Sequence, residues 1–247
     1  MMTERSDYSP LAAHLDDLKN KCEKWHRPVS SFFLTEEEQA AMMKFYPPSD
    51  FVRYDGGYEG ARRKKVIFLY DQEDDFSDIA CISARVDQRF RKIGHRDILG
   101  AAMALQIERH SLGDMFIQDD HIYIYTSETM GRFLCDNLLS VGQLSVSFEM
   151  TDDRPVQQFK QKRITVVAAS ERADAIVAAL AHCSRSAAKE MIRQGLVQLN
   201  HVTLEEADEL CNNNVTISIR GIGRFTYAGS SRHTKSGRIA AEFLQDM

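Results

Sequence analysis

Arg185, Lys189 and Arg193 recur every four residues within Ser184–Asn200, SRSAAKEMIRQGLVQLN. On a helix that spacing lines the three cations along one face. The chemistry open to such a face is recognition of a polyanion, because each cation that neutralises a phosphate releases a condensed counterion. The competing reading is a solvated basic surface. The stretch also predicts its own scaffold. Ser184 is a good N-cap, and Ala187, Ala188, Met191 and Ile192 form an apolar stripe at helical spacing. Gly195 ends the helix in the left-handed conformation, and Leu196, Val197 and Leu199 continue as a short strand.

Residues for other chemistries do not assemble. The five cysteines (Cys22, Cys81, Cys135, Cys183, Cys211) are odd in number, far apart and lack a C-x-x-C pair, which favours reduced thiols in a cytosol over disulfides or zinc. No metal site and no cofactor are expected. His95-Arg96-Asp97 invites comparison with a kinase catalytic loop, but Ala102 stands where a metal-binding Asn is needed, and no Asp-Phe-Gly follows. Gly56-Gly57-Tyr58-Glu59-Gly60 lacks the Lys-Ser/Thr ending of a phosphate loop. G-x-S-x-G and H-E-x-x-H are absent too, so no catalytic residue is assigned. An RNA-modifying enzyme stays as the alternative reading, with His95 and Asp97 as its one available acid/base pair.

Charge localises the candidate site. Residues 160–247 hold twelve Lys and Arg against nine Asp and Glu, a balance of +3, whereas the preceding 159 residues hold 19 against 27, a balance of −8. Between Leu210 and Ala241 no acid occurs, while Arg220, Arg224, Arg232, Lys235 and Arg238 extend the set of candidate RNA contacts begun by Arg172, Arg185, Lys189 and Arg193. A polyanion is drawn to this third and repelled elsewhere. The 247 residues, 43% hydrophobic and 27% charged, suit a soluble globular protein. No apolar run spans a membrane, and the polar, acidic first residues do not read as a signal peptide, so a cytoplasmic protein is expected.

The elements that must carry these residues read as α+β. Tyr8–Trp25 is a helix stopped by Pro28, and Thr35-Glu36-Glu37-Glu38 is a capping box opening a second helix. Val66–Tyr70 suits a buried strand, which makes residues 1–78 a small α/β domain. Residues 79–152 give strand, helix, strand, strand, helix, strand, with strands near Ile79–Val86, Gly113–Gln118, His121–Thr126 and Leu144–Met150 and with Ser127 capping the second helix. That is the ferredoxin-like order shared by RNA-recognition-type domains. Tyr123 and Tyr125 alternate with isoleucines, which predicts an exposed aromatic pair able to stack bases. Residues 153–163 are the expected linker. Residues 164–247 hold an apolar helix Arg172–Ala181, the Ser184 helix, a capping-box spacing at Thr203–Glu206, and a short twisted sheet through Val215–Arg220 and Arg224–Ala228.

Arg172-x-Asp174, Ser184-Arg185-Ser186, Ile192-x-x-Gly195-x-Val197-x-x-Asn200 and Ile217-x-Ile219-x-Gly221 resemble the S-four RNA-binding domain, with Asn213-Asn214 where Gly-Asp is usual. The resemblance implies paired helices and a small sheet that bind structured RNA largely through phosphates, with Arg172, Arg185 and Lys189 as central contacts. The whole chain resembles the YlmH family of bacterial proteins. Gly56–Ala61 (GGYEGA), His95–Gly100 (HRDILG), Gly113-Asp114, Arg220-Gly221-x-Gly223-Arg224-Phe225 and Thr234-Lys235-x-Gly237-Arg238 carry the likeness. Arg62 stands where an acid is usual, and Gln106 where a glycine is usual. This resemblance implies a non-enzymatic factor for rRNA and tRNA on the large ribosomal subunit carrying a stalled peptidyl-tRNA, in ribosome-associated quality control. Such a factor is expected to be a monomer off the ribosome.

Overall fold

Helix caps and apolar periodicity become elements over most of the chain. The computed structural model describes residues 9–89, 92–158, 161–211, 214–233 and 237–246. The chain divides into two units, Met1–Gln157 and Gln158–Met247.

In the first unit, helix α1 (Ser9–Trp25) buries Leu11, Leu15 and Cys22 against Leu34, Met42, Val66 and Phe68. Thr35 caps helix α2 (Glu36–Met42): its hydroxyl accepts from the Glu38 N–H while the Glu38 carboxylate accepts from the Thr35 N–H, a reciprocal capping box. Strands β1 (Val29–Ser30), β2 (Val52–Asp55) and β3 (Lys65–Phe68) form an antiparallel sheet in the order β1-β3-β2. β3 lies at its centre and is buried along its length.

Next come β4 (Ile79–Arg85), helix α3 (His95–Met103), β5 (Leu112–Gln118), β6 (His121–Ser127), helix α4 (Glu128–Asn137), the paired β7 (Ser140–Val141) and β8 (Leu144–Ser145), and β9 (Glu149–Thr151). Strands β4, β5, β6 and β9 make an antiparallel sheet ordered β5-β6-β4-β9. Asp119 and Asp120, at φ 49° and 60°, form the two-residue turn between β5 and β6 that needs both residues left-handed. One face of this sheet carries Ile82, Ala84, Met115, Ile122 and Ile124 under Ile98 and Ala102 of α3 and Leu134 of α4. The single strand expected over Leu144–Met150 does not form. Val146 and Phe148 are drawn into the helix-side core, and the Val146 N–H donates to the Leu139 carbonyl. Only Glu149–Thr151 are left to pair with β4.

In the second unit, β10 (Gln161–Ala168) begins inside the stretch expected as linker. Its first residues Gln161–Arg163 pair with Leu244–Asp246 of β15 (Ile239–Asp246), which ties them into a sheet. Helix α5 (Ala173–Leu180) is buried on nearly every side, and helix α6 (Arg185–Arg193) buries Ala188 and Ile192 only. Strands β11 (Val197–Leu199), β12 (Val202–Thr203), β13 (Thr216–Ile219) and β14 (Gly223–His233) complete a six-stranded antiparallel sheet, β10-β15-β14-β13-β11-β12. The sheet is larger than the expected short one because β14 pairs along most of β15 through two bulges. Ile176, Val177, Ile192, Val197, Ile217, Phe225, Tyr227 and Phe243 form the core beneath the two helices.

Candidate nucleic-acid interface

Helix α6 is fixed at both ends by the residues that predicted it. The Ser184 hydroxyl accepts from the Ala187 N–H at 3.1 Å. Gly195 takes φ +67°; its N–H donates to Ile192 O at 2.9 Å and the Leu196 N–H to Met191 O at 3.0 Å. Those two bonds are a Schellman motif. Arg185 and Lys189 therefore stand one turn apart on a rigid helix, and both turn toward α5.

At the start of α5 sits Asp174, whose side chain is 0% exposed. Arg185 Nη2 donates to both carboxylate oxygens at 2.8 Å. Arg172 Nε and Nη2 approach the same pair at 3.3 and 3.4 Å, and Lys189 Nζ lies 3.8 Å away. Arg172 also reaches Asp208 at 3.6 Å. Burial pushes the Asp174 carboxyl up, but hydrogen bonds from Arg172 and Arg185 outweigh it and hold the group below its ordinary value. The carboxylate is thus ionised at neutral pH and gathers three cations from both helix starts. Arg172, Arg185 and Lys189 nonetheless remain 38, 47 and 55% exposed, so they present positive charge to solvent in a fixed arrangement. Holding long side chains in place beforehand reduces the ordering cost of binding.

Asp174 depends on a neighbouring loop. Arg172 gives α5 no side-chain cap; instead the Ala173 and Asp174 N–H groups donate to the Glu209 and Ala207 carbonyls at 2.8 and 2.9 Å. The Thr203–Glu206 capping-box spacing opens no helix for this reason. Thr203 pairs with Gln198 in the sheet, and the residues beyond it serve as a backbone cap for α5.

The other predicted cations separate into distinct settings. Arg193 donates through Nε and Nη2 to Glu190 at 2.8 and 2.6 Å, which cancels its charge locally. Arg220 and Arg224 line a groove of about 660 Å³ with Gly195, Gln198, Ser218, Gly221 and Gly223. Gln198, Ser218 and Arg224 are cross-strand neighbours on β11, β13 and β14. Among the described residues the Ser218 hydroxyl is buried without a hydrogen-bond partner. Arg238 is exposed just before β15, Arg232 lies on β14 opposite Ala240, and Lys235 falls outside the described residues. Two features went unread in the sequence: Asp174 as the organiser of the cluster, and Glu190 as the neutraliser of Arg193. The Arg-x-Asp spacing and the three-residue step from Glu190 were the available signals.

The exposed tyrosine pair requires correction. Tyr125 is 0% exposed. Phe33, Tyr58 and Phe116 pack around it, and its hydroxyl donates to the Pro155 carbonyl at 2.8 Å. Tyr123 is half-buried between Phe116 and His121. The face of the sheet opposite the helices is covered at Tyr125 by residues from the first 60 of the chain, which strand alternation alone does not reveal. Asp97 accepts from the Gly94 N–H at 2.8 Å, a helix-start contact for α3 and not a pairing with His95.

Comparison with known proteins places these features. Residues 71–154 match the family described as "Putative RNA-binding domain in YlmH", and residues 171–214, which include the Asp174 cluster, match the S4 domain. Over 234 residues the chain is 26% identical to the ribosome-associated protein quality control protein P2 of Bacillus subtilis (strain 168), covering 91% of this chain and 90% of that relative. The solved structure of the cell division protein ylmH from Streptococcus pneumoniae aligns with a TM-score of 0.48 at 16% identity, over 59% of this chain and 92% of that one. The chain carries the YlmH-type RNA-binding domain and an S4 domain, in that order.

Proposed function

We propose that this chain is a non-catalytic factor that binds rRNA and tRNA on the large ribosomal subunit and acts on stalled peptidyl-tRNA complexes in ribosome-associated quality control. The observation that carries the reading is the arrangement of Arg172, Arg185 and Lys189 about buried Asp174 within the S4 domain. Fixed, half-exposed cations suit phosphate contacts, which position a protein on RNA without reading its sequence. Arg220 and Arg224 stand beyond the opposite end of α6 from Arg185. Nine helical residues set those ends roughly 13 Å apart, so the unit spans more than one phosphate.

The full-length similarity to a protein named for ribosome-associated quality control supports the process. The β5-β6-β4-β9 order, with helices after β4 and β6, supports a ferredoxin-like middle domain. A cytoplasmic monomer off the ribosome fits this role; no helix among the described residues is long and apolar enough to cross a membrane. The helix-start contact of Asp97 argues against a His95–Asp97 acid/base pair and so against the RNA-modifying alternative.

Co-sedimentation with purified ribosomal subunits at two salt concentrations tests the proposal. Binding to the large subunit should fall steeply with salt, and Arg185→Ala should flatten the log–log salt slope by roughly one unit. An unchanged slope removes Arg185 from the contacts. Undiminished large-subunit binding by a chain lacking residues 160–247 refutes the S4-centred reading.

A further inference from the structure

The first unit carries an excess of acid, yet among the described residues its partly buried Arg63 and Arg109 have no carboxylate partner. Arg63 Nε and Arg109 Nη1 donate to one and the same carbonyl, Leu112 O, at 3.0 and 2.7 Å. Arg63 Nη2 also donates to Phe33 O at 2.9 Å, and Arg109 Nη1 reaches Gly113 O at 3.4 Å. Two guanidinium groups that converge on one carbonyl repel each other. The buried acid nearby, Asp114, does not relieve this by pairing with either. Its oxygens accept from the Tyr58 hydroxyl at 2.7 Å and from the Arg62 and Arg63 N–H groups at 2.7 and 3.1 Å. Among the described residues neither Arg63 nor Arg109 forms an ion pair.

The donors left over have a definite shape. Arg109 keeps Nε and Nη2, the two-donor edge of the guanidinium, without a protein acceptor among the described residues, and Arg63 keeps Nη1. None of these nitrogens is sealed from solvent. A two-donor guanidinium edge matches two oxygens of a phosphate. His95, at the first position of α3, is near enough to Arg109 for their charges to interact. Burial and the neighbouring Arg63 push the Arg109 guanidinium down to about 10, and burial with the Arg109 charge pushes His95 down. The Asp114 charge opposes both shifts and offsets them only in part.

We propose that Arg63 and Arg109 form a phosphate-binding subsite in the first unit, separate from the cation cluster of the S4 domain. The ligand chemistry is a phosphate oxyanion, supplied by an RNA backbone or by a small phosphate. In a region whose balance is −8 over 159 residues, general attraction for a polyanion is absent. A phosphate therefore binds there through local donors or not at all.

The test uses the full-length chain with labelled arginine and follows the Nε–H signals of Arg63 and Arg109 by NMR. Inorganic phosphate and a short uracil-rich RNA are titrated separately at low ionic strength. Saturable shifts of both signals with either probe are expected. A response to phosphate alone identifies a small-phosphate site, and a response to RNA identifies a backbone contact; both support the subsite. Arg109→Gln should abolish the Arg63 response while leaving the Arg185 signal of the S4 domain unchanged. Arg109→Lys keeps the charge but lacks the two-donor edge, so it should bind roughly fivefold more weakly, the loss of one hydrogen bond. The proposal is overturned if neither probe moves the Arg63 and Arg109 signals, or if the Arg63 response persists in Arg109→Lys at undiminished affinity.

Discussion

Replacing Asp174 by Asn separates two roles for the buried acid. If Asp174 merely cancels charge, its removal strengthens RNA binding; if it positions the arginines, its removal weakens binding although the protein becomes more positive by one unit. The magnitudes favour the second outcome. Removing one negative charge about 4 Å from a phosphate site gains roughly 1 kcal/mol in a water-like medium. Releasing two arginines from fixed positions costs about 0.5–1.5 kcal/mol each on rebinding, and Asn replaces one of the two acceptor oxygens that Arg172 and Arg185 share with an NH2 donor. The net loss is about 1 kcal/mol, near fivefold in affinity. Stability also falls. Charge-assisted hydrogen bonds contribute about 1.5–3 kcal/mol each, but the arginines are 38 and 47% exposed and regain water, so we expect about 2 kcal/mol in total. Asp174 is held below its ordinary 3.8, so its stabilisation is complete above that value and is lost as the pH falls through the lowered one. The difference between wild type and Asp174→Asn should be flat from about pH 5 to 8 and close in stronger acid. Hydrogen exchange of the α5 and α6 amides in the full-length chain measures the stability, and RNA titration at several salt concentrations measures the affinity. Tighter binding by Asp174→Asn at every salt concentration, with α5 and α6 protection intact, would refute the positioning role.

Three further outcomes follow from particular contacts. Arg193→Ala should alter the salt dependence of RNA binding far less than Arg185→Ala, because Glu190 neutralises Arg193 one to one whereas Asp174 is shared among three cations; equal slope changes would contradict this. Gly113→Ala places a methyl group 2.8 Å from Phe33 Cε1 and 3.0 Å from Tyr125 O, and such overpacking should destabilise the first unit by about 1–3 kcal/mol, visible as an earlier urea transition by Trp25 fluorescence. Gln106→Gly should stabilise the same unit by roughly 0.5–1 kcal/mol. Gln106 sits at φ +60°, where an L side chain costs about 1–2 kcal/mol and the chain entropy of glycine returns only part of that. A lowered urea midpoint would show that the Gln106 side chain makes a compensating contact.

What the sequence made legible was mostly local. Thr35 with Glu38, Ser127, Ser184 and Gly195 each announce a helix end, and each is found making the expected backbone bond. Asn200 and His201, at φ 48° and 68°, turn β11 into β12 as such residues do. The cations Arg172, Arg185 and Lys189 could be selected by type and spacing. Their convergence on Asp174 could not, because it depends on how α5 and α6 pack. The misreadings share that cause. Thr203–Glu206 has the local pattern of a helix start, but carbonyls just beyond it are needed to cap α5. Val146 and Phe148 have strand character, but the helix-side core takes them. Tyr125 alternates correctly on its strand and is covered by residues nearly seventy or more positions earlier.

That covering decides how the first unit can meet RNA. Gly57, at φ +92°, lies so close that an added methyl would stand 2.7 Å from Tyr125 Cδ1 and 2.8 Å from Ile79 Cγ2. The Tyr58 ring lies tilted against Tyr125, centroids 4.8 Å apart, while its hydroxyl donates to Asp114. The GGYEGA and Gly113-Asp114 motifs therefore meet in space, and Gly57 and Gly113 allow the close approach, Gly57 to Tyr125 and Ile79 and Gly113 to Phe33 and Tyr125. Opening the face to bases would expose Phe33 and Tyr125, each fully buried. At roughly 150–250 Å² per aromatic side chain and about 25 cal/mol per Å², that costs on the order of 10 kcal/mol. Two bases stacked in their place return about 2–6 kcal/mol. Opening is disfavoured by several kcal/mol, so the aromatic face acts as an internal joint. RNA contact by this unit then does not use the Tyr125 face, which leaves it to other surfaces such as the proposed Arg63–Arg109 subsite.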